Sequence, residues 1–450
     1  MTAAPAPAAS VAQLEANDVV TVVGTVVNPA GLTHAKTVPV TRINAFADTG
    51  LGASPVWHGF AIDQAGIAFT DDISVVGDQR IRIDLAALRL IGDGLAWAPG
   101  QFFTQDGAAV PACSRGVLLR LEHQLAERGL SARIGHELEF VLVGPDGAAL
   151  PTNAWAQYGL AGVLEYEGFI RDVTAAASAA GVGLEQLHPE YGGNQFEISL
   201  TPRTPVAAAD HLVLMRIIVS RVARRYGLRV SFSPVPFAGS VGSGAHQHFS
   251  LSRGEQPLFS GGPGPHGMTQ EGEHAIAGVL QGLPQAQGVL AGSLLSGLRM
   301  RPGQWAGAYV CWGVENREAA LRFLLGGPAN PYGANVEVKI VDPSANPYFG
   351  SAAILGLALD GIDRKAALPE ETAVDPATLS DADRAAAGTV LLPESQADVL
   401  AALDGSALMR AILGEQAVDA LVAVRRYERA QYGDLSPEEA AAKFRLAWSL

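Results

Sequence analysis

Four separated stretches of the chain alternate polar and apolar residues with a period of two, the pattern of half-buried strands. They cover residues 134–142, 189–200, 242–251 and 335–340. Successive strand side chains point to opposite faces, so Glu137 and Glu139 share one face while Leu138, Phe140 and Leu142 share the other. The same parity joins Gln195 to Glu197 against Phe196, Ile198 and Leu200, and sets His246 beside His248. It also places Asn335, Glu337 and Lys339 opposite Val336, Val338 and Ile340. Four faces rich in acid and imidazole, each backed by an apolar face, predict a cavity built for divalent cations.

Around these stretches the pattern changes character along the chain. Residues 1–10 read as a loose Ala/Pro tail. Short β-rich segments follow at 19–27, 37–43, 60–69 and 81–90, with turns between them. Helical periodicity begins at Ser114, a candidate N-cap before a helix over 115–130, with Gly129 at its stop. Long helices are predicted over 205–226 and 352–362, and the Ala/Leu-rich stretch of about ninety residues at the end adds helices over 396–403, 406–413 and 415–432. The Gly/Pro-rich residues 261–267 read as a surface turn. The resulting organisation is a flexible tail (1–10), a small β-rich domain (11–105) and a large α+β domain (106–450) that carries every candidate ligand.

Composition narrows this picture. The 450 residues suffice for two sizeable cores, and 48 % apolar with 17 % charged residues is globular. No apolar run approaches a membrane span, and the first ten residues lack the basic start and apolar stretch of a secretory signal. Cys113 and Cys311 cannot form a disulfide framework, which fits a reducing cytoplasm. A formal charge of −14 argues against nucleic-acid binding and favours cationic partners. An isolated Glu-x-Glu or His-x-His is ordinarily a solvated strand face or a satisfied pair. The case rests on four such stretches together.

Several motifs then stand in a recognisable order: His136-Glu-Leu-Glu-Phe140, Glu190 with Gln195-Phe-Glu197, the stretch 242–251, Asn316-Arg317 with Arg322, and residues 336–348. In that order they resemble the glutamine synthetase family across nearly the whole chain, most closely its actinobacterial γ-glutamylpolyamine synthetase branch. The resemblance implies an α+β fold: an N-terminal β-grasp domain and a catalytic domain of antiparallel sheet with flanking helices. It further implies active sites shared between neighbouring subunits of a homo-oligomer, a dodecamer of two stacked hexamers. Glu139, Glu190 and Glu197 would hold one Mg²⁺ or Mn²⁺, and Glu137, His246 and Glu337 a second. His248, Ser250 and Lys339 would lie near ATP, and Arg317 and Arg322 near the transferring phosphoryl group. Arg299 would take the α-carboxylate of L-glutamate and Gly242 would contact its amino group. Asp63 would reach into a neighbour's site to deprotonate the amine, although Asp71 and Asp72 lie close by.

Physical chemistry agrees with such a site. At roughly 5 Å and an effective dielectric near 20, two bare carboxylates repel by about 3 kcal/mol, so five in one cavity need protons or cations. Oxygen ligands with an imidazole and no thiolate favour Mg²⁺ or Mn²⁺ over zinc. Metals and arginines together suit phosphoryl transfer from ATP to a carboxylate, which then becomes an acyl donor for an amine.

Departures from the family pattern sharpen the expectation. Trp305, in Pro302-Gly-Gln-Trp305, stands where a proton-accepting flap glutamate is usual. An indole cannot accept a proton, but its face attracts an alkylammonium by ~1–2 kcal/mol; packing against a neighbouring subunit is the alternative. Lys339 and Asn335 each replace an arginine, and Lys339 loses the bidentate fork. Val241 replaces an asparagine. No adenylylation loop is evident in residues 363–395. The leading expectation is an ATP-dependent γ-glutamyl ligase for polyamines. Ordinary glutamine synthesis from ammonium, a ligase for a small amine such as ethanolamine, and a non-catalytic descendant are its competitors.

Overall fold

β-Branched residues build the first sheet from its centre outward. β1 (Thr21–Val27) sends Val22 and Val26 into a core completed by Phe46, Ile81 and Ile83. It pairs antiparallel with β2 (Thr33–Pro39) and parallel with β6 (Leu95–Phe103). β6 also receives β4 (Gln79–Ile83) and β5 (Arg89–Gly92), and β3 (Leu51–Ala53) closes the edge on β4. The computed structural model describes residue 14 and residues 16–152 and 155–450. The tail expected at 1–10 lies outside them.

A second sheet, of ten strands among the described residues, carries the rest. In chain order its strands are β7 (Leu130–Val143), β8 (Leu184–Pro189), β9 (Gln195–Leu200), β10 (Arg229–Ser231), β11 (Gln247–Arg253), β12 (Gln256–Pro257), β13 (Tyr309–Val314), β14 (Ala319–Leu324), β15 (Asn335–Val338) and β16 (Val390–Leu391). Their spatial order is β16-β13-β14-β15-β11-β7-β9-β8, with β10 on β7 and β12 on β11. Every pair is antiparallel, as expected for this sheet, except β13 with β14, which run parallel. Residues 315–318 carry the chain back along β13 to make that parallel pair.

The helix Pro347–Asp363 is apolar almost all round and accordingly buried almost all round. It crosses the helix Gln270–Leu290 where two glycines meet: a Cβ on Gly278 would stand 2.6 Å from the Gly361 Cα and 2.2 Å from the Leu357 carbonyl oxygen. Among the described residues no helix is long and apolar enough to cross a membrane.

Local chemistry explains where elements depart from the sequence pattern. The strand expected over 60–69 is a loop with one isolated bridge, Phe60 to Ile67. There Asp63 accepts the amides of Ala65 and Gly66 and folds the chain into a turn. The segment 81–90 is split in two, because Asp84 caps a short 3₁₀ turn at Leu85–Ala87. Residues 37–43 stop being strand at Pro39 and coil into a short helix, Ile43–Asp48. Ser114 begins its helix rather than capping it; its hydroxyl donates to the Val27 carbonyl instead.

The two sheets share an apolar core, to which the first contributes Val27, Leu32, Ile62 and Trp97, and buried polar contacts reinforce it. Arg115 pairs with Asp210 at 2.9 Å and with Asp84 at 2.8 Å, and the Tyr348 hydroxyl donates to Asp210 at 2.7 Å. Glu428 accepts the Ile62 amide at 3.1 Å while bound to Arg425 at 2.9 Å. Asn346 serves both sides at once. Its Oδ1 accepts the amides of Tyr348 and Phe349, capping the central helix just before Pro347, and its Nδ2 donates to the carbonyls of Val27 and Asn28 in the first sheet. Asn346→Ala therefore removes a cap and two cross-sheet donors, although the Val27 and Asn28 carbonyls keep the Ser114 hydroxyl and the Gly31 amide, and should lower unfolding free energy by about 1–3 kcal/mol in urea titrations. Asn346→Asp keeps the cap but loses both donors, and should recover less than half of that loss.

Candidate active site

Strand register brings the acids together. β7 lies between β9 and β11, with Glu139 directly opposite Glu197 on one side and His136 opposite Gln247 on the other. Glu197 is in turn opposite His188 on β8, while on the far flank His248 faces Glu337 on β15 and Glu337 faces Arg322 on β14. The backbone of residues 244–246 continues the ladder, since the amides of Glu137 and Glu139 donate to the carbonyls of His246 and Gly244. Glycine at 244 leaves room for the site's side chains: a Cβ there would meet His246 Nε2 at 2.5 Å and Glu139 Oε1 at 3.0 Å and push them aside. The result is a cavity of about 840 Å³ walled by Glu137, Glu139, Glu190, Glu197, His246 and Glu337, the six residues singled out as candidate ligands.

Three trios of ligand atoms lie within 4.8 Å of one another: Glu137, His248 and Glu337; Glu137, Glu197 and His246; and His188, Glu190 and Glu197. These groupings differ from the two sets the resemblance implied. Glu139 belongs to no trio; its Oε2 accepts from Gln195 Nε2 at 2.9 Å. His248, expected beside the nucleotide, has Nε2 3.3 Å from Glu137 and Nδ1 2.8 Å from Asn335. His188 was missed, although a period-two reading of His188 and Glu190 would have found it.

Charge is distributed unevenly across the cavity. Burial works to raise the Glu337 carboxyl, but Lys339 at 3.0 Å and the neighbouring histidines hold it well below the usual range, and Arg322 adds a contact at 3.3 Å. Burial likewise opposes ionisation of Glu137, yet hydrogen bonds from His246 and His248 win and hold it low. On the opposite side Glu139 is pushed up to about 8 by burial and by Glu197 across the strand pair. Burial also raises Glu197. His188 rises to about 9 through its hydrogen bond to Glu197, whereas burial takes His246 down to about 4. One flank is thus neutralised by direct ion pairs with Lys339 and Arg322, while the other has imidazoles and, acting on Glu139 without an ion pair, the buried Arg299 guanidinium.

The remaining candidates divide. Arg299 is buried on the cavity wall, donating to the carbonyls of Lys339 and Ile340 and to His246 Nε2 at 3.2 Å. Gly242 lines the cavity too, and its carbonyl accepts from Gln195. Arg317 and Trp305 line the mouth, with the guanidinium 5.9 Å from the indole centre. Arg322 and Lys339 also line it, both turned onto Glu337. Ser250 sits on β11 away from the lining, and Asp63 lies outside this chain's cavity, with its carboxylate 2.7 Å from the Tyr432 hydroxyl. Burial opposes that carboxylate's ionisation, but the Tyr432 hydrogen bond and two loop amides leave it below its ordinary range.

Carboxylate oxygens and imidazole nitrogens without a thiolate are the donors of a hard divalent cation, and crowding of acids beyond the protein's own cations leaves charge for one to neutralise. The residues fit such an ion.

Comparison with known proteins bears on these features. Residues 111–443 match the glutamine synthetase catalytic domain. The chain is 42 % identical to gamma-glutamylpolyamine synthetase GlnA3 of Streptomyces coelicolor, over 93 % of this chain and 91 % of that protein. It is 32 % identical to the glutamine synthetase of Pyrococcus abyssi, over 72 % of each chain. Among solved structures, a crystal structure described as a novel glutamine synthase homolog superposes with a TM-score of 0.86 at 28 % identity, covering 96 % of this chain and 99 % of that one.

Cation uptake should release protons, because Glu139 holds one up to about 8. Calorimetric titration with Mn²⁺ at pH 7, in buffers of differing ionisation enthalpy, should show that release, and it should fade as pH rises past 8–9 while affinity increases. A pH-independent affinity would contradict the assignment. Without the cation, stability should fall as pH climbs from the ordinary carboxylate range toward about 8, since the folded state then has to give up a proton that burial favours. Glu139→Gln should flatten that slope and weaken Mn²⁺ binding about tenfold or more.

Proposed function

The chain belongs to the glutamine synthetase family, and on that premise we propose that it joins L-glutamate to a polyamine, forming a γ-glutamyl amide at the expense of ATP. The observation that carries the acceptor choice is Trp305. Loop 302–307 offers the cavity an indole and no carboxylate, so nothing on that loop can take a proton from ammonium. The likeness to a gamma-glutamylpolyamine synthetase supports the same acceptor.

Members of this family use ATP and divalent metal ions. Glu137, Glu139, Glu190, Glu197, His246 and Glu337 are our candidates to hold Mg²⁺ or Mn²⁺, with His188 and His248 beside them; the ions would neutralise phosphate oxygens during transfer. The chain's own part is positional. Arg299 is assigned the α-carboxylate of glutamate, and Arg317 with Arg322 the phosphoryl group in transit. The glutamate γ-carboxylate attacks the γ-phosphate of ATP, giving γ-glutamyl phosphate and ADP. A neutral amine then attacks the γ-carbonyl carbon, the C–O bond to phosphate breaks, and the amine's proton needs an acceptor. Asp63 from a neighbouring copy is our candidate, and it has to part from Tyr432 to act. An acidic cavity in a chain of charge −14 concentrates polycations at its mouth. Exposed Phe69, Val75 and Val76 on one loop of the first sheet support assembly with other copies, for which we favour two stacked hexamers in the cytoplasm.

Phosphate release in the presence of ATP, glutamate and one amine at a time tests this reading. Putrescine, cadaverine, spermidine or spermine should exceed ammonium and ethanolamine by at least about tenfold in kcat/KM, a gap of one cation–π contact. Equal turnover with ammonium would assign ordinary glutamine synthesis instead, and no glutamate-dependent turnover with any amine would remove the ligase. Trp305→Ala should raise the polyamine KM about 5–30-fold and leave the ATP KM unchanged.

A further inference from the structure

The loop 302–307 borders the cavity through Gly303, Gln304 and Trp305, yet its shape is imposed from outside the cavity. Glu318 is buried and does not line the cavity. Its Oε2 accepts the Gly303 amide at 3.2 Å and its Oε1 accepts the Trp305 amide at 3.0 Å. Both carboxylate oxygens thus serve one loop. The two residues they hold have positive φ, +75° at Gly303 and +51° at Trp305. A tryptophan adopts that backbone conformation only where its surroundings over-determine it.

The anchor is itself anchored. Asn316 Oδ1 accepts the Glu318 amide at 3.1 Å, and Asn316 Nδ2 donates to the carbonyls of Thr372 at 2.8 Å and Val374 at 3.0 Å. At the other end of the loop Ala306 is buried, and Gly307 lies so close to Ala320 and Lys339 that a Cβ would come within 3.0 Å of both. Arg317, between Asn316 and Glu318, lies over the Trp305 ring. Three consecutive residues therefore tie down the strand return, hold the loop and stack on its indole. Hydrogen bonds to an ionised acceptor are roughly twice as strong as neutral ones, and losing this acceptor leaves two amides unpaired.

We propose that Glu318 is a positioning residue for the amine half of the reaction: by holding Gly303 and Trp305 it sets the Trp305–Arg317 stack as a fixed wall of the amine pocket, without touching substrate. This rests on reading the Trp305 side as the amine side. A loosened wall has a definite chemical signature. Water competes for the acyl phosphate, its oxygen bonding to the γ-carbonyl carbon as the C–O bond to phosphate breaks, so glutamate and phosphate leave and no amide forms.

The test compares wild type, Glu318→Ala and Glu318→Gln in the full-length protein. Backbone hydrogen exchange of peptides spanning 302–307 should quicken about tenfold or more in Glu318→Ala, and less in Glu318→Gln, which keeps a single carbonyl acceptor. With spermine, the amine KM should rise about tenfold in Glu318→Ala while the KM values of ATP and glutamate stay within about twofold, and phosphate released per amide formed should climb above one. Glu318→Gln carries the test should the alanine variant not fold. Unchanged loop exchange overturns the latch, and faster exchange with unaltered amine KM and coupling overturns the positioning role. A wild-type protein that uses no amine overturns the amine reading, and with it the kinetic half of this proposal, while exchange still tests the latch.

Discussion

Glu139 and Glu197 face each other across two hydrogen-bonded strands, and no lysine or arginine among the described residues forms an ion pair with either. Like charges placed directly opposite on a sheet repel, and burial multiplies the cost. Among these acids the protein places lysine and arginine ion pairs on one flank only. There Lys339 and Arg322 lean on Glu337, and two histidines hydrogen-bond Glu137. The other flank keeps its acids with imidazole, amide and Tyr158 hydroxyl partners, and the Arg299 guanidinium acts on Glu139 without an ion pair. A rigid frame is what prevents these acids from swinging apart into water, and the rest of the structure can be understood as that frame.

The frame works through register rather than loops. All six candidate metal-binding acids and bases sit on strands or on the residues that extend their ladders, so a one-residue slip in one of these pairings would turn a ligand away from the cavity. Behind the sheet, the helix Pro347–Asp363 supplies an apolar backing that tolerates no polar residue on most of its faces. Gly244 allows the backbone to pass between His246, Arg299 and Glu139 without displacing their side chains.

Much of this was legible from alternation alone. Period-two patterning gave the correct faces for Glu137, Glu139, Gln195, Glu197 and Glu337, because in a strand parity is geometry. Boundaries failed where a side chain captured backbone amides: Asp63 turned an expected strand into a loop, and Asp84 cut another in two. Partner choice was also beyond reach. Nothing in the spacing of Lys339 says that its ammonium turns onto Glu337 two residues away, and nothing near Glu318 announces that it serves a loop fifteen residues earlier. The Glu318 contact comes from the return between β13 and β14, a parallel topology that sequence pattern does not encode.

The row of residues running from His188 through Glu197 and Glu139 to His248, Glu337 and Arg322 also has a consequence for biosynthesis. Its two ends are separated by well over a hundred residues of chain, and its fifth strand, β15, begins only at Asn335. A ribosome-bound chain that has not yet released that strand carries most of the acids but no cavity, because non-local pairings form last. Loose acids on an unfinished chain are weak, solvated ligands. Cation capture, and with it any consumption of nucleotide, is thereby deferred until the chain has been made past Val338.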